Sequence, residues 1–446
     1  MTVYKHSTEG HHSNQSQASE LCAILMANRA GLSRGIYSVC SANRPVLEAA
    51  FAQAMDDSSP LLIEATCNQV NHEGGYTGLT PAQFRDYVHT IANRLRFPLE
   101  RLILGGDHLG PNPWRSQPAA IAMKKAYAMV TAYAEAGFSK IHLDTSMACK
   151  DDPPILPPSL IADRAAHLCE AAEAARQDSA AKPVYVIGTE VPTPGGAQEE
   201  MHLSVTTVAS LDETLNVHLE AFARANLMEA WPRVIAVVVQ PGVEFNDATV
   251  AEYIPERAFA LSEHILTKKR IVYEAHSTDY QTTGSLRQLV QDHFAILKVG
   301  PELTFAMREA VFAMARIEEE WIAESCRSGI RTVIERRMIE NPEYWKPYYH
   351  GNEIEIKAAR AFSFSDRIRY YWPNSEITDT LARLIQNLRN SPAPLPLIAQ
   401  YLPRQAEAIR ADVLDNKPDA IIRHKIQESL ARYAGACGMR RAQQAY

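Results

Sequence analysis

Positive charge is not in surplus in this chain: 45 lysines and arginines stand against 52 aspartates and glutamates, a formal net charge of −7. That balance argues against a nucleic-acid surface, though it leaves room for a local basic pocket that takes a phosphorylated metabolite. Long apolar runs are missing too. No stretch is long enough to span a bilayer, and no membrane partner is expected. The opening "MTVYKHSTEGHHSNQSQAS" lacks the apolar core of a secretory signal. It reads as a polar, unstructured leader rather than as a metal-binding tract. The seven cysteines (Cys22, Cys40, Cys67, Cys149, Cys169, Cys326 and Cys437) are odd in number and form no CxxC pair. They are expected to be reduced thiols in a cytoplasmic protein, most of them small buried hydrophobes. Two phosphate-binding signatures are absent as well: there is no GxxxxGK[ST] loop, and "SVCSANRPVLEAAF" has no GxGxxG.

What is present is a rhythm. From Gly35 a β-rich apolar run, a polar or Gly/Pro break and a helical stretch recur in that order. The runs are "GIYSVCSAN" (35–43), "PLLIEAT" (60–66), "RLILGGDH" (101–108), "KIHLDTS" (140–146), "VYVIGTEVP" (184–192), "VIAVVVQPG" (234–242), "RIVYEAHSTD" (270–279) and "FAILKVGP" (294–301). Continuous apolar runs of this length suit parallel strands covered on both faces. Amphipathic helices are predicted between them, most clearly over 118–136, with Pro118 at its first position, and over 159–176. "SLDETLNVHLEAFARANL" (210–227) opens on a Ser-x-x-Glu capping box. Eight strands over roughly 270 residues fit a (β/α)₈ TIM barrel, whose usual size is about 250 residues. A doubly wound sheet is the alternative. After Pro301 the strand runs stop. The expected organisation is therefore a leader and first helix over 1–33, a barrel over 34–301, and a helical C-terminal extension over 302–446.

In a barrel the chemistry gathers where strands end. Here the third run ends in Asp107 and His108, the fourth in Asp144, Thr145 and Ser146, and the fifth in Glu190, followed by Gly195 and Gly196. The sixth ends in Gln240 with Glu244 close behind, the seventh carries Glu274, His276, Ser277 and Asp279, and the eighth carries Lys298. Any one of these has an ordinary reading as a cap, an ion-pair partner or a hydrogen-bonded loop residue. Their convergence on one rim is what points to a site. Imidazoles and carboxylates suit Zn²⁺ or Mn²⁺, and a spare carboxylate serves as a base. Glu64 and Asn68, near the second strand, are placed to support the site or the barrel. The glycines before Asp107 are expected to let the strand turn sharply there.

The same residues resemble class II, metal-dependent sugar-bisphosphate aldolases. In that family an Asp-His pair ends strand three; the His binds zinc and the Asp moves the proton. Asp107 and His108 match it. "HLDTS" matches at Asp144 and Ser146, "TEVPTPGGAQE" at Glu190, Gly195, Gly196 and Glu199, and "EAHST" at His276 and Ser277. The likeness is closer still to the GatZ/KbaZ-type subunit of tagatose-1,6-bisphosphate aldolase. It is carried by "GGDHLGPNPW", "IHLDTSM", "GTEVPTPGGA", "QPGVEF", "YEAHSTDYQ", "LKVGPELTFA" and "SDRIRYYWP" from about Gly35 onward. Two departures stand out. The sixth run has no histidine where catalytic class II aldolases place a second zinc ligand, and "LKVGPE" lacks their Asn-x-Asp-x-Asp pattern.

The resemblance implies an accessory subunit that sustains a separate catalytic aldolase chain in tagatose and galactitol metabolism. Family members have also carried a tagatose-6-phosphate kinase label, which the missing phosphate loop does not support. The alternative is a stand-alone metal-dependent ketohexose-phosphate 4-epimerase or aldolase. The expected site has Asp107, Asp144 and Glu274 as catalytic carboxylates. His108, Glu190, His276 and Gln240 hold a divalent metal, with Glu244 near Gln240. Ser146, Gly195, Gly196, Ser277, Lys298 and Arg367 bind a ketose phosphate, with Arg369 beside Arg367. A homo-oligomer is expected.

Overall fold

In the computed structural model, which describes residues 9–176, 182–191 and 203–439, eight parallel strands close into a barrel. They are β1 (Ile36–Val39), β2 (Leu61–Thr66), β3 (Leu102–Leu109), β4 (Lys140–Leu143), β5 (Val184–Ile187), β6 (Val234–Val238), β9 (Val272–Ala275) and β10 (Phe294–Val299). β7 (Glu244–Phe245) and β8 (Val250–Ala251) form a small antiparallel hairpin after β6 that the apolar runs do not announce. The barrel closes in chain order, with β1 pairing both β2 and β10. Every barrel strand except for Thr66 at the tip of β2 is buried along its whole length. All eight runs read from the sequence are barrel strands, and the chain beyond Pro301 is helical, from Pro301–Trp321 to Pro418–Ala436.

Three local readings change. The helix Glu9–Arg29 takes up much of the stretch expected to be an unstructured leader. Leu21 and Leu25, one helical turn apart, are fully buried, so an apolar stripe at the end of the polar segment docks it. The helix expected to start at Ser210 begins at Val208, and its cap is Thr207, whose side chain accepts from the Ser210 amide. The third change concerns the two glycines. β3 does not turn at Gly105 or Gly106 but continues to Leu109. A Cβ at Gly105 would stand 2.7 Å from Glu64 Cγ, and one at Gly106 2.5 Å from Leu109 Cδ1. These positions are glycine for lack of room.

That missing side chain has a purpose in the barrel interior. Glu64, Gly105 and Lys140 lie side by side in register on β2, β3 and β4. With no side chain on the middle strand, the outer two meet across it, Lys140 Nζ at 2.7 Å from Glu64 Oε1. The barrel interior here holds ion pairs, and Glu64 is among the residues that support it.

Candidate active site

Lys140 also reaches Glu274 Oε2 on β9 at 2.7 Å. Lys298 on β10 bridges Glu64 Oε2 at 2.5 Å and Asp107 Oδ1 at 2.9 Å, with Glu274 Oε1 at 3.8 Å. All five side chains are at least nine-tenths buried. Burial alone would push the Asp107 carboxyl up, but the His108 and Lys298 cations outweigh it and hold the group well below the usual carboxylate range. Glu274 is held low in the same way by Lys140 and Lys298.

Above this layer lie the imidazoles. The backbone breaks register between Gly106 and Leu109, and His108 adopts a left-handed φ of 50°. Ser277, directly after His276, has φ 53°. These two non-glycine residues in a strained region flank the point where the rings meet, a common feature of functional sites. His108 Nδ1 is 2.7 Å from Asp144 Oδ2, and His276 Nε2 is 3.0 Å from Glu274 Oε1. When both rings are neutral and donate from that nitrogen, each turns a lone pair inward. Burial would lower His108, but the Asp107 and Asp144 carboxylates outweigh it and raise it, so that ring can also hold the proton shared between the two. The two inward atoms, His108 Nε2 and His276 Nδ1, face each other at 3.2 Å. The side-chain oxygens of Ser146 and Asp144 Oδ1 are 2.7 Å apart, so Ser146 steadies the carboxylate that steadies His108. Burial would raise Asp144, but its bond to His108 brings it down to about 2. Burial brings His276 down to about 3, which keeps it neutral.

These residues fit a divalent cation. Imidazoles aimed by a carboxylate on the far nitrogen are the usual arrangement of metal-ligating histidine. Two nitrogens on one tetrahedral zinc, at ~2.0–2.1 Å each, stand about 3.3 Å apart, close to the spacing seen here. One atom each from Asp107, His142, Glu274 and His276 also lies within 4.8 Å of the others. His142 Nε2 is buried with no hydrogen-bond partner. Asp107, Asp144, Glu64 and Glu274 face only Lys140 and Lys298 in this network, an excess of two negative charges when the imidazoles are neutral.

The remaining expected residues are distributed as follows. Ser277 and Lys298 line the 650 Å³ cavity at the barrel mouth together with Asp107, His108 and His276. Glu190 is exposed and accepts from Thr206 Oγ1 at 2.5 Å. Gln240 Oε1 accepts from the amides of Gly242 and Val243, which shapes its own loop. Glu244 is buried, and desolvation brings it up to about 7. The structure thus brings together Asp107, His108, Asp144, Ser146, Glu274, His276, Ser277 and Lys298, and leaves Glu190 and Gln240 outside the cluster. Gly195, Gly196 and Glu199 lie outside the described residues. Arg367 stacks on Tyr348 and donates to the Tyr344 carbonyl, whereas Arg369 lines the cavity. His142 and Lys140 were missed from the sequence. Their signal was a histidine and a lysine inside the short strand "KIHL", where buried strands rarely carry charge.

The sequence matches the family described as D-tagatose-1,6-bisphosphate aldolase subunit GatZ/KbaZ-like over residues 21–438. The fold is also similar to the crystal structure of a "probable tagatose 6 phosphate kinase" from Sinorhizobium meliloti 1021. That chain is 45% identical, with a TM-score of 0.84, over 91% of this chain and 100% of the other. A fructose-bisphosphate aldolase from Campylobacter jejuni aligns at 15% identity and a TM-score of 0.43, over 83% of this chain and 92% of its own. With the barrel, its ionic floor and the paired imidazoles accounted for, the match across nearly the whole length makes this chain a member of the GatZ/KbaZ-like family of D-tagatose-1,6-bisphosphate aldolase subunits.

Proposed function

We propose that this chain carries a working, metal-dependent site for aldol-type chemistry on a ketose phosphate. One observation supports this above the others: the interior of the barrel is built from ions. Taking a charge out of water costs several kcal/mol even after relaxation, and buried pairs are often no more stabilising than the apolar side chains that would replace them. A barrel that only propped up a partner would be more cheaply filled with leucine and valine.

His108 and His276 are the ligands the geometry favours for the metal, zinc or manganese. Asp107, His142 and Glu274 stand close enough to complete or adjust the set, and His142 offers an imidazole from β4 where the β6 run has none. Glu190 and Gln240 remain candidates for a rearranged, loaded state. When bound, the metal supplies Lewis acidity to the ketose oxygens. The chain's own groups do the rest. Asp107, ionised and held by Lys298, accepts the proton of the C4 hydroxyl. The C3–C4 bond then breaks, its electron pair passing into the C1–C3 half as an enediolate, while C4 becomes the aldehyde carbon. Release of both halves is aldol cleavage. Re-addition to the opposite face of the aldehyde, with the proton returned by Asp107, inverts C4 and is epimerisation. Asp144 and Glu274 orient the imidazoles in either case. The sequence has no GxxxxGK[ST] loop, the phosphate cradle of one large class of phosphoryl-transfer centres.

The accessory reading, support of a separate catalytic aldolase chain, has its own observation. Asp107 is tied to Lys298 at 2.9 Å, and His142 Nδ1 stands 3.1 Å away, which restrains a group that has to move a proton. Asp107→Asn separates the two readings. If the site works, the variant keeps its metal, measured by elemental analysis, and loses roughly 10²–10⁴-fold in turnover of tagatose 6-phosphate, fructose 6-phosphate or tagatose 1,6-bisphosphate. His108→Ala loses metal as well. A wild-type chain that takes up no Zn²⁺ or Mn²⁺ overturns the proposal, as does an Asn variant with full activity.

A further inference from the structure

A second cavity, of about 440 Å³, adjoins the barrel mouth between the ends of β1 and β10. The two share Cys40, Gln69, Tyr76, Gly300, Pro301 and Arg369 as walls. Their chemistry is opposite. The barrel mouth is lined by carboxylates and imidazoles, whereas no carboxylate lines the second cavity.

Its one formal charge is Arg369, delivered by the C-terminal extension. Nη1 donates to the backbone carbonyls of Ser365 and Asp366, and Nη2 donates to Tyr370 Oη at 3.0 Å. These bonds fix the plane of the guanidinium and, among the described residues, engage Nη1 and one hydrogen of Nη2 but not Nε. No carboxylate among the described residues pairs with it; the nearby Asp366 carboxylate is taken by Arg308 and Thr304. Burial alone would disfavour the Arg369 cation, but the surrounding tyrosines and Asp366 outweigh it and hold the group charged, so the cavity presents a permanent positive charge. The other walls also have donors to spare. Asn43 spends Oδ1 on the Val46 amide and keeps Nδ2 uncommitted. Ser41 Oγ accepts from the Asn43 amide and keeps its hydroxyl hydrogen.

We infer that this second cavity holds the terminal phosphate of the ketose, gripped by Arg369, Asn43 and Ser41, while the carbons that react lie over His108 and His276. The inference rests on the proposed reaction for its choice of sugar, and it adds where the anion is read and which part of the chain reads it. Arg367, the sequence candidate, sits two residues away, stacked on Tyr348 and donating to the Tyr344 carbonyl. Arg369 provides a fork that matches phosphate geometry.

The test is calorimetric titration of the full chain with fructose 6-phosphate, fructose, inorganic phosphate and a ketohexuronate. The expected result is that fructose 6-phosphate binds at least ~10-fold tighter than fructose, that inorganic phosphate competes with it, and that Arg369→Gln removes most of the ratio. Asn43→Asp is the second variant. Asp caps the helix Arg44–Asp57 as well as Asn does, so the fold is kept, and its charge repels phosphate. It should lower the ratio even if Arg369→Gln folds poorly. An unchanged ratio in Asn43→Asp, equal binding of the two sugars by the wild type, or tighter binding of the ketohexuronate overturns the assignment. Phosphate-selective binding without turnover would count against the proposed reaction and leave the subsite standing. Turnover without phosphate selectivity would do the reverse.

Discussion

Histidine plays two unlike parts in this protein. At the barrel mouth His108 and His276 are aimed by carboxylates. In the helix Val208–Arg224, His218 is fully buried with its Nδ1 donating to the Thr214 carbonyl at 2.8 Å, and its Nε2 has no partner. Desolvation brings His218 down to about 4. Its unfolded value is near 6.5, so the unfolded chain takes up this proton first as pH falls. The stability involved is fully present above about 6.5 and is lost progressively between there and about 4. His218→Leu should remove that part of the acid limb. Between pH 7 and pH 5 the variant is expected to lose about 2 kcal/mol less than the wild type, measured by denaturant melts at both values. Parallel pH profiles would show that His218 does not titrate as its burial implies.

Among the elements, β3 shows most clearly how local sequence and tertiary need combine. Gly105 is on this strand because Glu64 and Lys140 meet over it. Gly105→Ala would put a methyl 2.7 Å from Glu64 Cγ and 3.0 Å from Glu64 Cδ. The backbone φ tolerates alanine, so the whole effect comes through the displaced carboxylate and its lysines. We expect a loss of about 2–3 kcal/mol, typical of overpacking, seen in a chain of this length as a Tm lower by roughly 2–3 °C together with reduced metal content. A Tm within a degree of the wild type would mean that Glu64 moves aside freely. The same element explains an incorrect reading. A pair of glycines in a strand suggests a turn, and only the neighbouring strand's side chain shows that the need is for space. The cap at Thr207 is a milder case: the Ser-x-x-Glu pattern points to Ser210, but the helix starts at Val208 and Thr207 accepts from the Ser210 amide instead.

For the whole molecule, the C-terminal extension is tied to the barrel at two points. Arg369 and Tyr370 form part of the cavity wall. The helix Pro418–Ala436 buries Ile426, Leu430 and Tyr433 completely; the Tyr433 hydroxyl donates to the Thr278 carbonyl at 2.6 Å, and its ring lies 6.2 Å from that of Tyr37 on β1. Burial of three such side chains contributes roughly 5–9 kcal/mol, comparable to the net stability of a typical protein, about 5–15 kcal/mol. Deleting residues 418–446 is therefore expected to abolish the cooperative melt rather than to release an intact barrel, as judged by calorimetry and far-UV circular dichroism. A truncated chain with a sharp transition and retained metal would make 302–446 an independent addition rather than helices the barrel depends on.

The eight strands and the helical tail were determined by the sequence alone, because a strand buried on both faces must be apolar along its length and a break in that pattern has to mark its end. Asp107, His108, His276 and Lys298 were legible for a related reason: ionisable groups at the ends of buried strands have one place to gather. The ion pairs beneath them were not legible. Glu64, Lys140 and His142 look like interruptions in apolar runs until the barrel closes and sets β2, β3, β4, β9 and β10 around a common interior. Nor could the sequence choose Arg369 over Arg367, two residues apart. Which of two neighbouring arginines meets the cavity depends on the path of one short turn against the barrel rim, and that path is decided by long-range packing that no local pattern records.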